Sequence, residues 1–134
     1  CVHVGWKGCY LNIIEKALNK IKKIQKDTKK IKAIIGPCLA KKKFEVDLDF
    51  KLKFILKYKK YKKFFYKINN NNNKVLFDMS DLIKYQILEN KVKNIEHYNL
   101  DTYSNKNLFY SHRRSSHLGE NPSGRMINII GFNN

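Results

Sequence analysis

The chain has 134 residues and a mass of 15.9 kDa, enough for one small domain and too little for two independent cores. Its 28 Lys and Arg against 11 Asp and Glu give a formal charge of +17, which taken alone invites a polyanionic partner. An apolar share of 43% with 13% aromatic residues argues against disorder, and no uncharged stretch approaches the roughly 18–20 residues that span a bilayer.

In chain order, residues 2–4 (Val-His-Val) read as a short strand that ends in Gly5-Trp6-Lys7-Gly8. From Tyr10 onward, Leu11, Ile14, Leu18, Ile21 and Ile24 recur at three- and four-residue spacing with lysines between them, which predicts an amphipathic helix with a basic outer face. Asp27-Thr28-Lys29-Lys30 breaks it. Residues 31–35, rich in Ile and stopped by Gly36-Pro37, read as a buried strand entering a turn.

Residues 47–61 predict a helix with Phe50, Phe54, Ile55 and Tyr58 on one face and Asp47 as its N-cap. Residues 64–68 and 75–77 read as strands around a solvated asparagine loop at 69–73. Ser80 is expected to cap a helix that carries Leu82, Ile83, Ile87 and Leu88 and ends near Asn90. Residues 95–100, 108–110 and 126–132 read as strands, with 111–125 a loop. This alternation predicts an α/β or α+β layered domain, a mixed β-sheet with packed helices.

The charge has a second explanation. Lys (25), Asn (16), Ile (15), Phe (8) and Tyr (8) make up 72 residues, whereas Ala (3), Gly (6), Pro (2) and Arg (3) make up 14. The first set is written largely with A/T-rich codons and the second with G/C-rich ones, so a biased genome yields such a chain whatever its function. A nucleic-acid surface favours Arg, whose planar fork suits phosphate and guanine edges. The three cysteines, Cys1, Cys9 and Cys38, are odd in number and form no CxxC pair. That speaks against a disulfide framework and for a reducing, cytoplasmic setting.

Four places carry candidate chemistry. The Gly5-Trp6-Lys7-Gly8 turn follows a strand and opens a helix, so its N–H groups and Lys7 suit an anion, although such a turn needs glycine for geometry in any case. His3, just before it, is either a metal ligand or general base, or a hydrogen-bonded core residue. Cys38 lies just past a strand end, as nucleophiles often do, but a free Cys equally serves as a small buried hydrophobe. Ser111-His112-Arg113-Arg114 holds the only adjacent arginines in a lysine-rich chain, a residue choice that resists the codon bias and points to phosphate or carboxylate.

Five segments stand in a telling order: Val2-His3-Val4-Gly5-Trp6-Lys7-Gly8; Ile35-Gly36-Pro37-Cys38 with Phe44-Glu45-Val46; Phe77-Asp78 with Gln86; Phe109-Tyr110-Ser111-His112-Arg113-Arg114; and Gly124-Arg125-Met126. Together they resemble the laccase-domain family, whose members are known as multicopper polyphenol oxidoreductases and as purine nucleoside phosphorylases with additional adenosine deaminase activity. The resemblance implies that residues 1–134 are the C-terminal half of a larger single domain, beginning inside a strand, with Cys1 as an internal position. It implies a zinc ion held by two histidines and a cysteine, of which His3 matches one, the other two lying in the half not included here; copper is the alternative metal.

The resemblance further implies purine nucleoside and inorganic phosphate as substrates, with Lys7 and Arg113 positioning the anion and His112 as a polar wall. No catalytic acid or base is assigned, and neither a membrane nor a nucleic acid is an expected partner. Lys7 stands where the family usually has Arg, and Asp101-Thr102 where it often has Cys-Thr. Two other functions compete. A basic RNA- or polyanion-binding module would use the Gly5 to Gly8 loop, helped by 20 Lys against 5 acidic residues in the first 67 positions; the KH-type loop of that kind joins two helices, whereas here a strand is expected before it. A copper-dependent polyphenol oxidase would need a His-rich or Cys-Met ligand set, and the sequence has neither.

Overall fold

The computed structural model describes residues 1–69, 71–121 and 124–131. The long amphipathic stretch folds as two helices, α1 (Trp6–Tyr10) and α2 (Ile13–Ile24), because the chain turns sharply at Leu11 and Asn12. Asn12 takes the left-handed conformation at φ 53°, a state asparagine tolerates better than most residues. Gly8 makes the tight junction possible: a Cβ there would lie 3.1 Å from the Ile13 side chain. Ile14 and Leu18 of α2 are buried, whereas Ile24 at its end is 92% exposed. Asp27 ends the basic helix as expected, its carboxylate accepting from the Lys29 N–H at the head of a 3-10 turn, Thr28–Lys30.

The strands divide between two sheets. β1 (Lys32–Ile35) pairs in parallel with β5 (Asn94–His97), Ile35 opposite His97. β2 (Glu45–Asp47) and β3 (Phe65–Ile68) flank β4 (Asn71–Phe77) in an antiparallel sheet ordered β2-β4-β3. Asn71 to Asn73 thus belong to a strand, β4, rather than to a loop, since pairing with the end of β3 outweighs the poor strand propensity of asparagine. Asn70 lies outside the described residues.

Between the antiparallel sheet and α3 (Leu48–Lys57) sits an aromatic core. Phe54 and Phe77 have no exposed surface, Phe65 stacks on Phe77 at 4.8 Å and 19°, and Phe50 on Phe54 at 5.0 Å. Asp47 occupies the N-cap position of α3 without a side-chain capping bond. The helix is shorter than the periodicity suggests: after Lys57 the chain tightens into a 3-10 helix, Lys59–Phe64, which buries Tyr61 and Phe64.

α4 (Met79–Glu89) carries Leu82, Ile83 and Ile87 into the core against α2 and β1. Its cap is Asp78, not Ser80: the Asp78 carboxylate accepts from the Asp81 N–H at 3.1 Å, and the Ser80 hydroxyl donates to the same oxygen. The fully buried helix face includes Gln86, whose amide nitrogen donates to the Cys9 carbonyl at 2.8 Å and to the Tyr61 hydroxyl at 3.0 Å. A polar side chain in the core thereby ties α1 to α4.

Three expected strands do not form among the described residues. Residues 2–4 pair with no strand of either sheet, and His3 is exposed. Residues 108–110 instead close a turn in which the Leu108 and Phe109 N–H groups donate to the Asn105 carbonyl. Residues 126–131 have no regular structure, and Phe132, the last of that expected strand, lies outside the described residues. Conversely, the expected 111–125 loop contains a helix, α5 (His112–Leu118). Ser111 caps it by accepting from the Arg114 N–H, and Gly119 ends it at φ 66°, a left-handed stop that favours glycine.

Candidate active site

Four separate stretches of chain meet around one open cleft of about 330 Å³. Trp6 comes from the first turn of α1, Phe44, Glu45 and Asp47 from β2 and its approach, and Arg113 from α5. Lys74 of β4, Val46 of β2 and Phe50 of α3 complete its wall. Asp47 and Lys74 pair on one rung of the β2–β4 ladder, next to the buried Val46 and Val75, and Val46 lines the cleft with them.

Arg113 is half-buried and anchored. One guanidinium nitrogen, Nη1, donates to the Glu45 carbonyl at 3.0 Å, and the guanidinium carbon lies 5.5 Å from the Phe44 ring centroid. A carbonyl fixes the fork without cancelling its charge, so Arg113 keeps a full positive charge for an anion. Opposite it, Trp6 meets Phe50 edge to face at 5.2 Å and 63°. The indole is bracketed by cations, with Lys7 Nζ at 5.5 Å and Lys53 Nζ at 5.8 Å from its ring. The cleft therefore joins an aromatic wall to cationic and carboxylate groups, which suits a ligand with a flat ring, hydroxyls and an anion.

The predicted site residues are only partly brought together. Arg113 lines the cleft; Lys7 is exposed and reaches the site only through Trp6; His112 is exposed at the start of α5 and lies outside the lining. The adjacent arginines have separate duties. Arg114 spends its guanidinium on three backbone carbonyls, those of Thr102 and Tyr103 from Nη1 and that of Phe109 from Nη2, at 2.7 to 2.8 Å. It fastens α5 to the 101–109 loop and thereby presents Arg113. The Gly5 to Gly8 segment is no free loop, since Trp6, Lys7 and Gly8 are helical and Cys9 donates its N–H to the Gly5 carbonyl.

Sequence reasoning missed Trp6, Asp47 and Lys74 as cleft residues. Asp47 reads as a helix cap and Lys74 as one lysine among 25. A usable signal for Trp6 exists: it is the single tryptophan of the chain and sits inside the Gly5 to Gly8 turn.

A second cleft of about 370 Å³ gathers Cys38, Lys41, Asp78, Ser80, His97 and Asp101. Burial, and after it the carboxylates of Asp78 and Asp101, push the Cys38 thiol up against the opposing hydrogen bond of Ser80, so sulfur stays protonated at neutral pH. A protonated thiol is a poor nucleophile. Cys9, fully buried, is pushed up by burial to about 12 and is equally inert. For Asp101 burial acts upward, but hydrogen bonds from the Ser104 hydroxyl and the Ala40, Tyr103 and Ser104 N–H groups outweigh it and hold the carboxyl below its usual range. Asp101 thus braces the bridge between Cys38 and itself that extends the β1–β5 pairing.

His3 contributes one exposed imidazole, and its Nε2 lies 3.4 Å from where a Gly5 Cβ would stand. Among the described residues no group of three or more His, Cys, Asp or Glu is placed to hold a metal ion. The donors of these residues therefore do not fit a three-ligand zinc site, nor a copper site, on their own. No helix among the described residues is long and apolar enough to cross a membrane.

Fold and cleft together define a layered α/β domain with an aromatic, cationic cleft. Residues 1–133 match the family described as multi-copper polyphenol oxidoreductase laccase, and the chain belongs to that family. A purine nucleoside phosphorylase of Rickettsia prowazekii is 36% identical over 117 residues, covering 87% of this chain and 47% of that protein. One from Rickettsia conorii is 34% identical over 128 residues, 96% of this chain and 52% of its own length. Among solved structures, the hypothetical protein YfiH of Bacillus licheniformis superposes with a TM-score of 0.75 at 25% identity, over 91% of this chain and 46% of that one. The chain spans about half the length of the curated relatives it matches.

Proposed function

We propose that this chain is part of a cytoplasmic purine nucleoside phosphorylase-type enzyme whose substrate cleft is the one between Trp6 and Arg113. The observation that carries the reading is the convergence of Trp6, Phe44-Glu45 and Arg113, three of the family-like segments, on a single cleft. The curated relatives bearing that enzyme name, at 34–36% identity, support it.

In phosphorolysis a phosphate oxygen forms a bond to the anomeric carbon of the ribose while the glycosidic C–N bond breaks. The electron pair of that bond leaves with the purine, which takes up a proton from solvent, giving ribose 1-phosphate and free base. The residues of this chain bind and orient: the Trp6 ring stacks on the base, Asp47 accepts from a ribose hydroxyl, and Arg113 holds phosphate by charge-assisted hydrogen bonds. Lys7 adds positive potential behind the indole, and His112 extends the polar rim.

The family's zinc, and the adenosine deamination that goes with it, need donors beyond His3. We assign His3 as one ligand and the remaining donors to residues outside this chain, and no step through a metal is assigned to the residues described.

Trp6 makes the proposal directly testable, because tryptophan emission from the chain reports on this cleft alone. Inosine and adenosine are expected to change it saturably, and uridine much less, since a smaller ring stacks less area on the indole. Equal responses to purine and pyrimidine nucleosides, or none, would count against the proposal.

A further inference from the structure

We infer that Lys74, rather than Lys7, is the second phosphate-holding cation of the cleft. The inference rests on the cleft being the nucleoside site and goes on to name a residue of its anion end. Lys74 lines the cleft together with Arg113, whereas Lys7 does not. The register pairs Lys74 with Asp47, a second residue of the same cleft, one rung beyond the buried Val46 and Val75.

Its charge is also available. Among the described residues the ion pairs are Lys32 with Glu96, Lys41 with Asp78 and Lys60 with Glu89, and neither Lys74 nor Asp47 belongs to one. Lys74 is exposed and therefore free to swing its ammonium group toward a bound anion. Arg113 has one nitrogen committed to the Glu45 carbonyl and the remaining face of its fork to offer. A phosphate seated between them meets a rigid bidentate donor on one side and a mobile point charge on the other. Lys7, by contrast, stands over the Trp6 ring, where it raises the local potential without reaching the anion.

The experiment is a titration of the 134-residue chain with inorganic phosphate, and separately with inosine, at low ionic strength and read by Trp6 emission. The variants are Lys74→Gln, Lys7→Gln and, as a control for general loss of charge, Lys67→Gln on the neighbouring strand. Loss of one charged hydrogen bond predicts that Lys74→Gln weakens phosphate binding about tenfold or more. Lys7→Gln and Lys67→Gln are expected to stay within about twofold, as exposed charges acting through solvent. Inosine binding should be little changed in Lys74→Gln and Lys67→Gln. If Lys7→Gln causes the larger loss, or Lys74→Gln only matches Lys67→Gln, the assignment of Lys74 is overturned while the nucleoside reading stands. If the unmodified chain responds to neither phosphate nor inosine, both fall together. Each variant changes an exposed side chain, and an unaltered thermal midpoint confirms that the fold is not what is being read.

Discussion

Arg113 donates to the carbonyl of Glu45 at 3.0 Å, joining the start of α5 to the edge strand β2 across 68 positions of sequence. That one bond sets the anion-binding fork beside the aromatic wall. Arg113→Ala is expected to lower phosphate affinity by about 1.5–3 kcal/mol, roughly ten- to a hundredfold, and to cost about 1 kcal/mol of stability through the lost bond to the Glu45 carbonyl. Arg113→Lys should recover only part of the loss, because an ammonium group cannot hold the Glu45 carbonyl and the anion with one planar fork. Phosphate titration of the two variants checks both statements.

Arg114 predicts the opposite pattern. Its guanidinium satisfies three carbonyls, so Arg114→Ala should destabilise the chain by about 2–4 kcal/mol, and denaturant unfolding will measure it. Any effect on ligand binding should follow that loss of α5 anchoring.

Asp101 gives the fold a pH dependence of known sign. Its folded carboxyl lies below the ordinary value of 3.8, so the stability it contributes is fully present above that pH and is lost as pH falls through the lower folded value. Asp101→Asn should cost about 1–2 kcal/mol at neutral pH, since the side chain is partly exposed and an amide retains one acceptor. It should also flatten the acid side of the stability profile. Thermal unfolding between pH 2 and pH 7 distinguishes this from a simple loss of packing.

Gln86 is the polar tie of the core. Gln86→Leu leaves the Cys9 carbonyl and the Tyr61 hydroxyl without their donor, and a loss of about 1–3 kcal/mol is expected in denaturant unfolding. Because Cys9 belongs to α1, the same variant should loosen Trp6 and shift its emission before any ligand is added.

The helices α2 and α4 are legible because tertiary packing follows their apolar period; Ile14, Leu18, Leu82, Ile83 and Ile87 are all buried. α5 is not, since His-Arg-Arg-Ser-Ser-His has no apolar stripe, and Ser111, Arg114 and Gly119 hold it instead. Residues 2–4 have strand propensity but pair with neither sheet, and propensity without a ladder makes no strand. Within the site, Arg113 stands out because arginine is rare in this chain, whereas Lys74 is hidden among lysines and acquires meaning only from its rung opposite Asp47. Several lysines of the +17 charge lie over aromatic rings, and few approach the cleft.

The zinc proposal has its own check. With His3 as the single donor, the purified and dialysed chain is expected to retain much less than one zinc per molecule, because catalytic sites supply three protein ligands. Metal analysis giving stoichiometric zinc would contradict the assignment of the other ligands to residues outside it.

The most direct measurement for the central claim is the Trp6 emission of the chain titrated with inosine in the presence and absence of inorganic phosphate. The account predicts a saturable change with inosine, tightened or deepened by phosphate, and loss of the phosphate effect in Arg113→Ala. A flat response to inosine, or a phosphate effect unchanged by Arg113→Ala, would contradict it.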